Sequence, residues 1–444
     1  MMLAVAALTT SAAHAQTLTY DQALRDAVAN APGAVAGRAG VSAAQADARA
    51  AGSLPDPRVS IGIENYPVSG PPAFSLSRDD MTMGRVGFQQ DLPNLAKRHA
   101  AQAQARAVIA TAEASQATKL REVRLGAGQA WIDLAYAERR LAALDTVLLF
   151  LRSLPSAARA AVTTGSVRPG QTLTTDQEIA ALDDRRDELM AAVARARAML
   201  ARWTGVSAPE IAGDMPAIDL APARLRDALS LHSDMVLAEA GIQRAQADVD
   251  AARAEKRPDW GVEVAYQRRD PRYGDMVSAG VSMSLPLFAR SRQNPRIEAR
   301  KSAQAQAEAA REETRRTLAA DLEAALADHQ MHHSQWQRAR DVLLPLARKR
   351  ADLEIASYSA GRASLADAIE AKTALADAEL TVLDRGVGFG LAKLGTSSAA
   401  DQTASPAPQK KILYWYDPMI PGERHDGPGL SSMGMKLIPR YADE

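Results

Sequence analysis

The chain has 444 residues, no cysteine, 53 basic against 53 acidic residues, and only 4% aromatics within a 47% hydrophobic fraction. Without cysteine there are no disulfides, thiolate metal sites or cysteine nucleophiles. The balanced charge provides no long-range field favouring nucleic acid or a membrane surface, and the alanine that dominates the hydrophobic fraction favours closely packed helices.

The opening stretch, MMLAVAALTTSAAHAQ, is apolar and uncharged and ends in Ala13-His14-Ala15. This small-x-small pattern predicts a secretory signal peptide over residues 1–15 in preference to a buried N-terminal helix. Beyond it no apolar run reaches the roughly 18 residues of a membrane-spanning helix. An Ala-rich helix is expected over about 20–51, followed by two short alternating segments with a Gly/Pro/Asp-rich connection, Val59, Ile61 and Ile63 marking one face. After Leu92-Pro93 a very long helix is expected over 96–164, roughly 100 Å of it at 1.5 Å per residue. Its heptads place Leu120, Ala127, Leu134, Leu141 and Leu148 at one position and Val123, Ala130, Ala137, Leu144 and Leu151 three later. That seam predicts coiled-coil packing. Pro155 is expected to kink or end this helix. Gly165 and Gly170 mark a turn, and a returning helix follows over about 172–203.

The same order then recurs. LPDPRVSIGIENY (54–66) matches RPDWGVEVAYQRR (257–269), VGFQQDLPNLAKRHAAQAQARA (86–107) matches AGVSMSLPLFARSRQNPRIEAR (279–300), and the stretch 161–189 matches ASYSAGRASLADAIEAKTALADAEL (356–380). The second copy predicts a helix over about 222–256, alternating segments through Val262, Val264, Tyr266 and through Val277, Ala279, Val281, Met283, then a long helix with Pro345 near its far end. A turn at Gly361 and a returning helix over about 364–394 complete it. The period of roughly 190–200 residues exceeds any solenoid repeat, so the unit is one large element duplicated, about 16–205 and 206–395. The alternating segments have the length of tilted membrane strands, about 9–11 residues, but four strands cannot close a barrel alone. A small soluble sheet would satisfy the same pattern.

Carried by DQALRDAVANAPG, AAGSLPDPRVSIGIE, VGFQQDLP with AKR, and YSAGRASLADAIEAKTALADAEL, residues 17 to about 395 resemble the trimeric outer-membrane efflux channels typified by TolC. SLPDPRVSIGIEN looks most like the heavy-metal efflux branch. The resemblance implies a mainly α fold with a small β part. Duplicated long helical hairpins would form a periplasmic α-barrel, and four strands per chain would contribute to a trimeric twelve-stranded outer-membrane β-barrel. It further implies a homotrimer working with a periplasmic adaptor (membrane fusion) protein and an inner-membrane RND-type pump. The family's helical tips dock the adaptor and carry the gate. The matching positions are Gly361, Ala363 and Leu365, with Gly165 and Val167 in the first repeat. Asp367 and Glu370 fall where the family narrows the pore with acids, which threefold symmetry would turn into carboxylate rings. Both read equally well as solvated helix charges.

The linker TSSAADQTASPAPQ within 396–411 has a disordered composition. The tail, 412–444, resembles the small heavy-metal-binding domain of copper and silver efflux adaptors. Its pattern is YWYDPM, then PG, then M-x-M-x-L-x-P-x-YADE. The resemblance puts Met419, Met433 and Met435 on the metal positions, with His425 a further candidate ligand. Neutral, soft thioethers select Cu(I) or Ag(I) and need no deprotonation. A plain alternative is that the methionines fill a small core. His329, Met331, His332 and His333 form a second cluster, in which the i,i+4 pair His329 and His333 shares one helix face; a packed or solvated face is the expected role. No phosphate loop, HExxH or nucleophile elbow occurs, so no cofactor and no enzymatic activity are expected. The sequence therefore points to an outer-membrane channel subunit for Cu(I) or Ag(I) with a metal-capturing tail. A periplasmic adaptor-like or metal-binding helical protein is the alternative.

Overall fold

The computed structural model describes residues 16–163, 169–215, 220–397, 412–416, 424–425 and 438–441. The chain divides into two compact units, Met1–Ala399 and Ala400–Glu444.

The first unit begins with β1 (Gln16–Leu18), which pairs in parallel with β4 (Pro209–Ile211). Thr19 caps α1 (Tyr20–Asn30) through a reciprocal box with Gln22, so two otherwise orphaned donors are satisfied. The single helix expected over 20–51 is in fact two. Ala31 is extended, and α2 (Pro32–Ala50) restarts with Pro32 in its first turn. The residue before a proline is sterically disfavoured in helical geometry, and here Ala31 takes the extended conformation, which places the break.

Strands β2 (Arg58–Glu64) and β3 (Met83–Leu92) lead into α3 (Leu95–Thr163), 69 residues and about 100 Å long. Pro155 does not end it; the helix continues to Thr163. Helix α4 (Pro169–Thr204) returns along it. The segment expected as one helix over 222–256 is α5 (Pro222–Asp227), a 3-10 turn (228–231) and α6 (Ser233–Ala254). The interruption is at His232, whose extended backbone and ring Nδ1, accepting the Asp234 N–H at 3.2 Å, make it the N-cap of α6. Strands β5 (Trp260–Arg268) and β6 (Met276–Met283) precede α7 (Gln293–Arg338). A π turn (339–343), α8 (Leu344–Ser359) and α9 (Leu365–Ser397) follow. Pro345 sits in the first turn of α8, and the widened π turn before it absorbs its missing N–H.

Helix α3 is the spine, packed by α2, α4, α6 and α9. From the heptad seam, Val123, Ala127, Ala130, Leu134, Ala137, Leu144, Leu148 and Leu151 are buried, and Leu120 and Leu141 are half-buried. The largest buried side chain, Trp131, donates its indole N–H to the Leu18 carbonyl at 2.9 Å and meets Tyr20 edge-on at 5.6 Å. By contrast α7, 46 residues long, buries only Ile297 and Leu322 within the chain.

In the second unit, β7 (Ile412–Tyr416) is flanked antiparallel by β8 (Arg424–His425) and β9 (Ile438–Tyr441).

Candidate functional site

Strands β2, β3, β5 and β6 form one antiparallel sheet in that order, two strands from each repeat. Register pairs Ile61 with Val86, Val86 with Tyr266, and Tyr266 with Val277. It also pairs Val59 with Phe88, Phe88 with Val264, and Val264 with Ala279. Because side chains alternate, these residues share one face of the sheet. That face meets nothing: Ile61 is 81% exposed, and Val277 and Val281 are each 71% exposed. The opposite face is mostly small, polar or charged. Ser60, Gly62, Gly87, Gly261, Gly280 and Ser282 occupy it, together with Arg85, whose guanidinium pairs with Glu64 at 2.5 Å and with Glu263. Arg85 thereby joins a carboxylate from each repeat. This three-charge bridge was missed by sequence reading; its signal was a charge in the intervening positions of otherwise apolar alternation. Both outer strands, β2 and β6, leave one edge without a partner strand among the described residues. Among the described residues no helix is long and apolar enough to cross a membrane.

At the other end of the long helices, residues 360–364 turn α8 into α9. Gly361 takes φ +70°, where a Cβ would be strained, and open space surrounds it. Ala363 is half-buried. Leu365 is only 4% exposed and packs with Leu144, Leu148, Leu151, Leu182 and Ile369, so it shapes the tip from inside. Asp367 Oδ2 accepts the Ser364 backbone N–H at 2.9 Å and its hydroxyl at 2.7 Å, while Ser364 Oγ accepts the Asp367 N–H at 3.2 Å. This capping box at the start of α9 holds the Asp367 carboxyl below its ordinary value. Asp367 is thus an exposed charge with a structural duty in the single chain. Glu370 pairs with Arg350 at 2.9 Å, and with Glu178 and Asp377 it lines a cavity of about 340 Å³. Gly165 and Val167 lie outside the described residues.

The histidine cluster is packed. His329 and His333 lie 5.3 and 5.0 Å from the Phe389 ring, and Trp336 stacks on Phe389 at 5.3 Å. Gly388 admits the His332 ring, since a Cβ there would stand 2.9 Å from Nδ1. Burial first, then His333, Lys393 and His332, push the His329 pKa down. Among the described residues no three His, Cys, Asp or Glu side chains are placed to hold a metal ion. Of the tail's candidates, His425 is in β8, its backbone opposite Trp415. Met419, Met433 and Met435 lie outside the described residues.

Residues 225–385 match the profile of the family described as "Outer membrane efflux protein". Several solved structures share the fold. CusC has a TM-score of 0.73 at 16% identity, covering 86% of this chain and 91% of that one. The Campylobacter jejuni CmeC outer membrane channel has a TM-score of 0.73 at 12% identity, covering 86% and 85%. VceC of Vibrio cholerae has a TM-score of 0.70 at 18% identity, covering 86% and 95%. Among curated proteins, Escherichia coli K12 "Cation efflux system protein CusB" is 60% identical over 37 residues, 8% of this chain and 9% of its own length. SilB of Salmonella typhimurium, described as a membrane fusion protein, is 48% identical over 52 residues, 12% of either chain. This chain therefore matches only a small fraction of those two relatives. The chain has the mainly helical fold of TolC-like outer-membrane channels, and residues 225–385 carry the sequence pattern of the outer membrane efflux family.

Proposed function

We propose that this protein is the outer-membrane channel subunit of a tripartite heavy-metal efflux system, exporting Cu(I) or Ag(I) and carrying a tail that captures the ion. The observation that carries the channel part is the four-stranded sheet: one face mostly apolar and exposed, with Gln90 and Arg268 toward its ends, the other mostly small or polar, and both edges open among the described residues. A sheet edge in a bilayer leaves backbone groups without partners, so such strands are stable there only in a closed barrel. Three chains of four strands close one of twelve, with the apolar face to lipid and Arg85, Glu64 and Glu263 to the lumen. The sparse burial of α7 and the exposed Leu346 and Leu353 of α8 fit further packing between copies. The protein then lies in the outer membrane with its helices in the periplasm. Transport through it is passive, with energy from an inner-membrane RND-type pump acting through a periplasmic adaptor.

The metal assignment rests on the tail. Its methionine pattern resembles the adaptor metal domain, and we assign to it the short CusB and SilB matches, 37 and 52 residues long against 33 residues over 412–444. Replacing Met419, Met433 and Met435 together with isoleucine in the full chain is expected to abolish Cu(I) capture in competition with a chromogenic chelator. Unchanged affinity would contradict the assignment.

Those adaptor matches also favour a second reading, a periplasmic adaptor-like protein. Cell fractionation separates the two: the channel sediments with the outer membrane, the adaptor does not.

A further inference from the structure

The two repeats differ where the sheet meets the long helices. In the first, Pro93 is followed two residues later by the start of α3. The Asn94 amide fills the junction, donating to Asp259 Oδ1 at 2.9 Å and to the Arg257 carbonyl at 3.1 Å. In the second, Pro286 precedes the start of α7 by seven residues. The intervening turn, Leu287–Arg292, is LFARSR, with Leu287 76% and Phe288 68% exposed. In sequence, Leu285 and Leu287 continue the alternation of Val277, Val281 and Met283 just past the end of β6.

Beside this turn lies a cavity of about 520 Å³ lined by Leu285, Pro286, Ser284 and Gln293 among others, and by six charged groups. Two acids are already engaged: Asp259 holds Lys97, and Glu255 holds Arg296 at 3.0 Å. Arg257 and Arg292 remain without an acidic partner among the described residues. The first turn of α7 adds no acid. The side-chain oxygen of Gln293 is buried with no hydrogen-bond donor.

From these features we infer that this junction is a binding site for an anionic phospholipid, with the phosphodiester between Arg257 and Arg292 and the acyl chains along Leu285, Leu287 and Phe288. An apolar edge and an unneutralised cationic cavity side by side fit one amphiphile better than a soluble anion, which would leave the leucines and Phe288 in water. A headgroup hydroxyl supplies the donor that Gln293 lacks. The inference rests on the channel reading, which puts this end of the sheet at the periplasmic leaflet.

The test uses full-length protein extracted from the outer-membrane fraction, offered equal amounts of phosphatidylglycerol and phosphatidylcholine in mixed micelles. Retained lipid is counted by native mass spectrometry. Phosphatidylglycerol is expected to be retained several-fold over phosphatidylcholine. Arg257→Gln with Arg292→Gln should abolish that preference, leaving phosphatidylcholine unchanged. Leu287→Ser with Phe288→Ser should lower retention of both lipids. Glycerol 3-phosphate, a headgroup without tails, should not displace the lipid; full displacement would mean a small-anion site and overturn the lipid assignment. Equal retention of the two lipids, or a double arginine variant like the wild type, would also overturn it. A protein absent from the outer-membrane fraction overturns the channel reading itself. One present there without headgroup preference overturns only this inference.

Discussion

Gly126 lies on α3 against α4, where an added Cβ would stand 2.4 Å from Cζ2 of Trp203. Alanine there gains up to about 1 kcal/mol of helix propensity but overpacks an indole, at a cost of about 1–3 kcal/mol. Gly126→Ala is therefore expected to lower stability, read as a reduced unfolding midpoint. His232 makes a second prediction at this scale. Its ring is 1% exposed, and burial first, then Arg121, push its pKa below 6.5, with Asp234 opposing. As pH falls below 6.5 the unfolded chain takes up the proton before the folded one, so stability is retained above that pH and lost beneath it. Protonation also removes the Nδ1 acceptor that caps α6. His232→Asn keeps a capping oxygen without the titration, so its stability is expected to vary less between pH 7 and 5 than that of the wild type. An equal slope in the two proteins would contradict this role.

At the scale of elements, the apolar seam of α3 and the alternation of the strands decide the fold. Leu144, fully buried between α3 and its partners, is expected to cost about 2–5 kcal/mol when cut to alanine. On the sheet the two faces are predicted to respond oppositely. Ile61→Arg places a charge on the apolar face and costs roughly 2–4 kcal/mol if that residue sits near the bilayer midplane. Gly280→Lys places one on the polar face, where nothing stands within 4 Å, and should leave insertion into the outer membrane unchanged. The yield of protein in that fraction reads both. The first long helix and the strands were legible from their hydrophobic periods, and the second long helix and the returning helices from the internal repeat and the glycine turns. The breaks at Ala31 and His232, and the passage of α3 through Pro155, were not. They depend on a single residue's backbone or on tertiary packing that overrides a local preference. Asp367 shows the same limit: the family resemblance implied a pore acid, and nothing in that resemblance indicated that Ser364, three residues earlier, also makes it half of a capping box.

At the scale of the molecule, a single chain leaves too much undone. Both edges of the sheet are open, its apolar face is bare, and α7 buries two side chains along 46 residues. The open sheet edges were foreseeable from the strand count, but the sparse burial of α7 was not, nor was the inter-repeat bridge of Arg85 with Glu64 and Glu263, because pairing across 178 residues is set by the sheet and not by local sequence. The metal-capturing role of the tail rests on its methionine pattern, and the triple isoleucine variant tests it independently of the barrel. The central claim is that several copies close the sheet. The mass of the full-length protein, extracted from membranes in mild detergent and measured by light scattering corrected for bound detergent, tests that most directly. The account predicts three chains in one particle, each 47.3 kDa before loss of the signal peptide; a folded particle containing a single chain would contradict it.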